Sequence, residues 1–130
     1  MSIDTLKIIS NAMKELGLAY GFGRYTPPPG SPVADPYFVG EYQETIPMTE
    51  DGLQESTFLL TGFGRASWLT LEDAKERIQR YFNMVGGKTV ITDKGSAVAI
   101  FYANSMIVPT NDAELKRIQI NLNIKEWKVD

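Results

Sequence analysis

The chain has 130 residues, a length that suits one domain with a single hydrophobic core, and 43% of its residues are apolar. Its 13 Lys and Arg residues and 16 Asp and Glu residues give a formal net charge of −3, whereas a dedicated nucleic-acid binder usually carries a basic stripe. The chain has no cysteine and no histidine, which excludes disulfides, thiolate zinc sites and catalysis that needs an imidazole base.

The first residues mix apolar side chains with the charges of Asp4, Lys7 and Lys14, unlike a signal peptide. No stretch of the sequence approaches the ~20 apolar residues that a membrane span needs. We therefore expect one soluble domain over residues 1–130, with no membrane partner, that stays in the cytoplasm where it is made.

The first predicted element is a helix over residues 3–16, which Ser2 can cap and Gly17 can end. Its apolar residues recur every three or four positions: Ile3, Leu6, Ile9, Met13 and Leu16. A short aromatic strand is predicted over residues 20–25. Five of the chain's 7 prolines then fall within residues 27–36, which predicts an exposed extended loop.

Two strands are predicted next, over residues 37–42 and 56–63. The Asp51-Gly52 turn signal between them indicates a long hairpin. A second helix is predicted from Thr70 to about residue 83, because Thr70-Leu-Glu-Asp73 is a capping-box type of start. Gly86-Gly87 follows as its stop signal.

The remainder of the chain indicates a series of strands joined by turns. Strands are predicted over residues 89–92, 97–103 and 106–108, followed by the last strand. In that last strand four apolar residues alternate strictly with polar ones; the apolar residues are Ile118, Ile120, Leu122 and Ile124. This period of two predicts one buried face and one polar, amide-rich face.

The order of elements predicts an α+β fold. We expect an antiparallel sheet of about five to seven strands in a meander, with two helices packed on one face. A doubly wound parallel fold would need strands and helices that alternate, and the predicted elements do not.

The motifs that could indicate catalysis or ligand binding have low specificity. Gly21-Phe-Gly-Arg24 recurs as Gly62-Phe-Gly-Arg65, but neither copy has the lysine of a nucleotide-binding loop, and both read more simply as glycine-relaxed strand ends. Glu50 and Asp51 are adjacent, whereas a metal site needs oxygens from separated positions. We therefore predict no catalytic residues, no cofactor and no metal site, and hence no enzyme.

Several local patterns together resemble the tail-completion, or tail-terminator, proteins of long-tailed bacteriophages and prophages. The resemblance runs over most of the chain and is carried by the glycine-bearing strand 20–25, the proline loop 27–36 and the start of the next strand at Pro36-Tyr-Phe-Val-Gly40. The strand 56–63 that runs into Gly64-Arg65 and a helix, and the alternating last strand, complete it.

This resemblance implies a structural protein of the virion tail, assembled in the cytoplasm of a bacterial host. Its partners would be copies of itself in a hexameric ring, the tail-tube protein, and a neck or head-completion protein. We expect no specific nucleic-acid partner, because no basic cluster accompanies the aromatic residues. Residues near the ends of the predicted elements would then lie at or near subunit contacts: Tyr42, Leu53, Phe63, Arg65 and Trp68.

Two other classes stay open from the sequence alone. One is a different phage component with a similar small fold, either a head-tail connector or a tail-tube subunit. The other is a small cytoplasmic α+β domain that binds a ligand or acts as an enzyme in a concave pocket.

Overall fold

The computed structural model describes residues 1–46, 52–83, 88–92 and 95–127. Within these ranges two helices and six strands follow one another: α1 (Ile3–Glu15), β1 (Ala19–Phe22), β2 (Tyr37–Ile46), β3 (Leu53–Gly64), α2 (Trp68–Tyr81), β4 (Lys88–Ile91), β5 (Ala97–Ile107) and β6 (Lys116–Trp127). The predicted turn residue Asp51 and the helix stop at Gly86-Gly87 lie outside the described residues.

The strands form one sheet in the order β1-β2-β3-β6-β5-β4. β1 runs parallel to β2, and every other neighbouring pair is antiparallel. The prediction of an α+β fold with an antiparallel sheet and two helices on one face is confirmed, with one parallel pair among the strands. The strand order departs from a simple meander, because β6 lies between β3 and β5. The single parallel pair arises because residues 23–36 carry the chain back to the end of the sheet where β1 began, so that Tyr37 lies beside Ala19.

In the described part of the chain, both helices pack on one face of the sheet (the helix face), and no helix covers the other (the open face). Buried and half-buried residues alternate along β3 and β6, so their even-numbered side chains lie on the helix face. The core forms there from residues of both helices and four strands: Ile9, Met13, Leu71, Ile78, Phe82, Phe38, Phe58, Leu60, Ile100, Ile120 and Leu122. The polar open face of β6 is therefore as predicted.

α1 begins and ends as the sequence predicts. Ser2 has an extended backbone, its Oγ accepts a hydrogen bond from the Thr5 amide at 3.2 Å, and Gly17 follows the helix with a φ of 70°. Glu126 of β6 is buried and accepts hydrogen bonds from the Ser2 amide at 3.2 Å and from the Thr5 hydroxyl. These bonds tie the start of α1 to the sheet.

The start of α2 differs from the prediction. Ser67, and not Thr70, is the N-cap: its backbone is extended and its Oγ accepts a hydrogen bond from the Thr70 amide at 3.1 Å. The capping-box prediction at Thr70 is therefore wrong, because Trp68 and Leu69 already belong to the first helical turn. On the outer surface of α2, Glu72 and Lys75 form an ion pair at 2.8 Å.

β5 is one strand rather than the two that the sequence predicts. Its register against β6 shifts between Tyr102 and Asn104, which is a β-bulge, and pairing then continues to Ile107. We call one end of the sheet the upper end: β3 and β5 end there, and β2 and β6 begin there. Leu53 and Trp127 lie at the opposite, lower end.

Candidate assembly interface

The five residues that the sequence singles out as contacts do not form one patch. Phe63, Arg65 and Trp68 lie at the upper end, where β3 passes into α2. Leu53 lies at the lower end, opposite Trp127. Tyr42 lies on the helix face of β2, opposite Phe58. Their contacts with other subunits stay predictions, and of the five residues only Phe63 and Arg65 border a common cavity.

An aromatic stack occupies the upper part of the open face. The ring of Tyr37 stacks on Phe63 from one side and on Tyr25 from the other, with 5.1 Å between ring centroids in both pairs. Phe63 also borders a cavity of 280 Å³ beneath the proline loop and one of 260 Å³ beside Arg117. The stack therefore anchors the proline loop to the sheet instead of leaving Phe63 fully available to a partner.

Polar contacts hold the upper end in place. The Asp35 carboxylate accepts hydrogen bonds from the amides of Arg65 and Ala66 at 2.9 and 3.0 Å. The Arg65 guanidinium donates to Asp112 at 2.8 Å. The pKa of the Asp112 carboxyl is lowered, first by the backbone amide of Glu114 and then by Arg65.

The Arg65–Asp112 pair is a surface feature of one chain. Both side chains are about half exposed, at 55% and 46%, so water screens the pair and its contribution to stability is small. The pKa of Arg65 is raised by the same contact. Arg65 already has a partner within its own chain, which any contact with another subunit would have to keep or replace.

Two large apolar side chains lie together at the β1 side of the sheet. The Phe22 ring stacks on Tyr42 with 6.0 Å between centroids, and both rings are partly exposed on the helix face. Trp68 and Leu69, in the first turn of α2, are also exposed. Of these four residues, Tyr42 and Trp68 are predicted from the sequence, whereas Phe22 and Leu69 look like ordinary core residues in the sequence.

The outer edge of β5 is a further surface that the sequence analysis missed. β4 pairs only with Ala97–Ile100, and no other described strand lies beside the rest of β5. Met106 and Ile107 there are 56% and 62% exposed, which is unusual for apolar residues in a strand. The signal in the sequence was a run of apolar residues, and nothing local in it distinguishes an open edge from a paired strand.

Among the described residues, no group of three or more acidic side chains could hold a metal ion. None of the described helices is both long and apolar enough to cross a membrane. The arrangement thus offers aromatic surfaces and unpaired strand edges, which are features of recognition between proteins.

Comparison with known proteins finds similarity at the level of structure. No protein-family model matches the chain, and no curated protein sequence matches it. A solved chain from the virion of a native gene transfer agent (GTA) particle has a similar structure, with a TM-score of 0.66. The similarity covers 90% of this chain and 84% of the other at 13% sequence identity, so it shows a shared fold.

Proposed function

We propose that this protein is a structural component of a phage-like virion. The observation that carries the proposal is the fold shared with a GTA virion chain over 90% of the length. Exposed strand edges and clustered aromatic residues support it, because both suit a protein that works by binding other proteins. Fold similarity does not by itself assign a role, so the proposal depends on an assembly test.

Within this class, we propose the particular role of tail terminator. The protein would form a hexameric ring that caps the tail tube, stops its growth and binds a neck or head-completion protein. The resemblance carried by residues 20–65 and by the alternating last strand supports this role. A ring also requires heterologous contacts, in which one surface of a subunit meets a different surface of the next, and the sheet has two unlike side edges.

The test is an elongation assay with the tail-tube protein of the same virus. Purified chain is added to polymerising tube protein, and tube lengths are measured by negative-stain electron microscopy. We expect shorter tubes at sub-stoichiometric amounts of the chain, because one ring per growing end is sufficient. Tubes of unchanged length, with no chain bound at their ends, would contradict the terminator role.

The same images separate the alternative virion roles. A tail-tube subunit would form long open-ended tubes without any added protein. A head-tail connector would form rings that leave tube growth unaffected and bind head particles instead.

A further inference from the structure

The side edges of the sheet are stepped. β1 covers β2 only over Tyr37–Gly40, at the upper end, and β4 covers β5 only over Ala97–Ile100, at the lower end. On the β1 side the sheet therefore protrudes at the upper end. On the β5 side it is recessed there, because no described strand lies beside the upper part of β5.

The strand registers show which residues lie at the same height on the two sides. One row across the sheet consists of Tyr20, Phe38, Gly62, Ile118 and Ile107. A second row consists of Phe22, Gly40, Leu60, Ile120 and Ser105. If a second copy is placed beside the first in the same orientation, its Tyr20 lies opposite Ile107 and its Phe22 lies opposite Ser105.

The backbone groups of β5 at these heights point outward. The Val108 amide donates to the Arg117 carbonyl at 3.0 Å, so Val108 and Arg117 are a hydrogen-bonded antiparallel pair. Because such pairs alternate with non-bonded ones, the amides and carbonyls of Ile107 and Ser105 face away from β6. The outer edge is occupied lower down, where the Tyr102 amide donates to the Phe82 carbonyl at 2.7 Å.

The backbone groups of β1 at the same heights also point outward. The Gly23 amide donates to the Gly40 carbonyl at 2.7 Å, while Gly40 itself lies opposite Phe22. In a parallel pair of strands, a residue whose amide and carbonyl face the adjacent strand bonds to the two residues on either side of the residue opposite it. The amides and carbonyls of Phe22 and, two residues earlier, Tyr20 are therefore directed away from β2.

We propose that β1 of one subunit inserts beside residues 105–107 of β5 in the next copy, and so joins the two sheets; this rests on the proposed assembly role. β1 and β5 run in opposite directions, so the new pair is antiparallel. The outward groups coincide in height, so Tyr20 with Ile107 and Phe22 with Ser105 both become hydrogen-bonded pairs. The contact is heterologous, so its repetition gives a ring when the rotation from one subunit to the next closes, as the proposed hexamer requires.

The side chains fit the same pairing. Phe22 is 47% exposed and Ile107 is 62% exposed, and each becomes covered when the edges meet. Gly21 then lies opposite Met106, and the backbone of Arg24 and Tyr25 fills the space where a side chain of residue 21 would lie, so Met106 packs beside that turn. β4 does not obstruct the approach of the neighbouring β1. Its first residue lies in the row of Ile100, Ile124 and Ser56, and Ser56 is four residues further along β3 towards the lower end than Leu60.

A disulfide scan tests this pairing directly, because the chain has no cysteine of its own. The variant combines Phe22→Cys with Ser105→Cys, two positions that the pairing places about 5.5 Å apart between Cα atoms, within disulfide reach. Within one chain the same positions are four strands apart, about 19 Å, so any disulfide joins two chains. The matched control combines Phe22→Cys with Ile107→Cys, which become diagonal neighbours roughly 7–8 Å apart.

We expect the Phe22→Cys/Ser105→Cys variant to form a ladder of covalent oligomers on a non-reducing gel that ends in one closed species and collapses with reductant. The control pair and each single variant should form at least tenfold less. Reaction occurs on assembled protein, with tail tubes added where assembly needs them. Electron microscopy of the reduced samples records whether rings are present.

That second measurement separates the two proposals. Rings on tube ends without preferential cross-linking of residues 22 and 105 would overturn the edge pairing and leave the virion role intact. The absence of any ring, on tubes or in solution, would overturn both the edge pairing and the tail-terminator role.

Discussion

Glu126 shows how a single buried carboxylate fixes α1 on the sheet. It is 1% exposed, and its carboxylate accepts hydrogen bonds from the Ser2 amide, the Ser2 hydroxyl and the Thr5 hydroxyl. A buried charge is tolerated when several donors satisfy it. Thr5 is also fully buried, so its hydroxyl has no water to replace a lost partner.

Thr5→Val should destabilise the protein by about 1–3 kcal/mol, because it leaves a buried carboxylate with one donor fewer. Urea unfolding followed by circular dichroism measures the effect. Thr26→Val is the matched control, since Thr26 is exposed and the same substitution there should change the free energy of unfolding very little. Equal effects at the two positions would show that the Glu126 contacts do not stabilise the fold.

Tyr20 and Tyr81 have similarly raised pKa values but differ in the hydrogen bonding of their hydroxyls. Burial raises the pKa of Tyr20 to about 12, and among the described residues its hydroxyl has no hydrogen-bond partner. Burial also raises the pKa of Tyr81 to about 12, but its hydroxyl donates to Glu15 at 2.8 Å. Each folded-state pKa lies above the ordinary value of 10.0, so stability is complete below pH 10 and falls as pH rises towards 12.

Tyr20→Phe should stabilise the protein by about 1 kcal/mol at pH 7, because it removes a buried polar group without breaking a bond. It should also reduce the loss of stability between pH 10 and 12. Tyr81→Phe is the contrast: it reduces the same alkaline loss but does not stabilise at pH 7, since it removes the bond to Glu15. Thermal unfolding at several pH values checks both variants. A Tyr20→Phe variant that is less stable at pH 7 would contradict the claim that the Tyr20 hydroxyl is buried without a hydrogen-bond partner among the described residues.

The first turn of α2 depends on Ser67. Ser67→Ala should cost about 1 kcal/mol, because the Thr70 amide loses its hydrogen-bond acceptor at the helix start. Thr70→Ala should cost clearly less, since Thr70 lies inside the helix and its amide is unchanged. Urea unfolding of the two variants distinguishes the caps, and the reverse order would restore the start predicted from the sequence.

Both candidate caps look alike in the sequence, which explains the error at α2. Ser67 and Thr70 are both good capping residues, and the exposed Leu69 does not follow the spacing of the apolar stripe. By contrast, α1 and β6 have strong periodic patterns, and both were predicted to within a few residues. Local pattern was sufficient where one face of an element is uniformly buried.

The extent and pairing of the strands could not be predicted in the same way. The bulge between Tyr102 and Asn104 shifts the alternation in β5, so one strand looked like two. The parallel placement of β1 depends on the path of residues 23–36, and the open edge of β5 depends on where β4 begins. Each is a relation between distant segments, so the surfaces at Phe22 and Met106 had no local signal.

Assembly of the whole molecule should depend on Ile107 but not on Ile3, although both are exposed isoleucines at 62% and 71%. Ile107→Lys should weaken self-association at least tenfold, because a lysine on the open strand edge disfavours pairing with another strand. Ile3→Lys changes the same chemistry on α1 and should assemble as the unchanged chain does. Sedimentation velocity measures both, with circular dichroism to verify folding.

Loss of assembly in Ile3→Lys alone would place the contact at the start of α1 and would contradict pairing through β5. Loss in both variants with normal folding would indicate a broad apolar contact instead of a strand edge.

Cryo-electron microscopy of tail tubes incubated with the purified chain is the most direct test of the proposed assembly. We predict one closed ring of this chain at each capped tube end, with β1 of every subunit beside β5 of its neighbour. Chains that stack in repeated layers along the tube, or that stay monomeric and leave the tube ends bare, would contradict it.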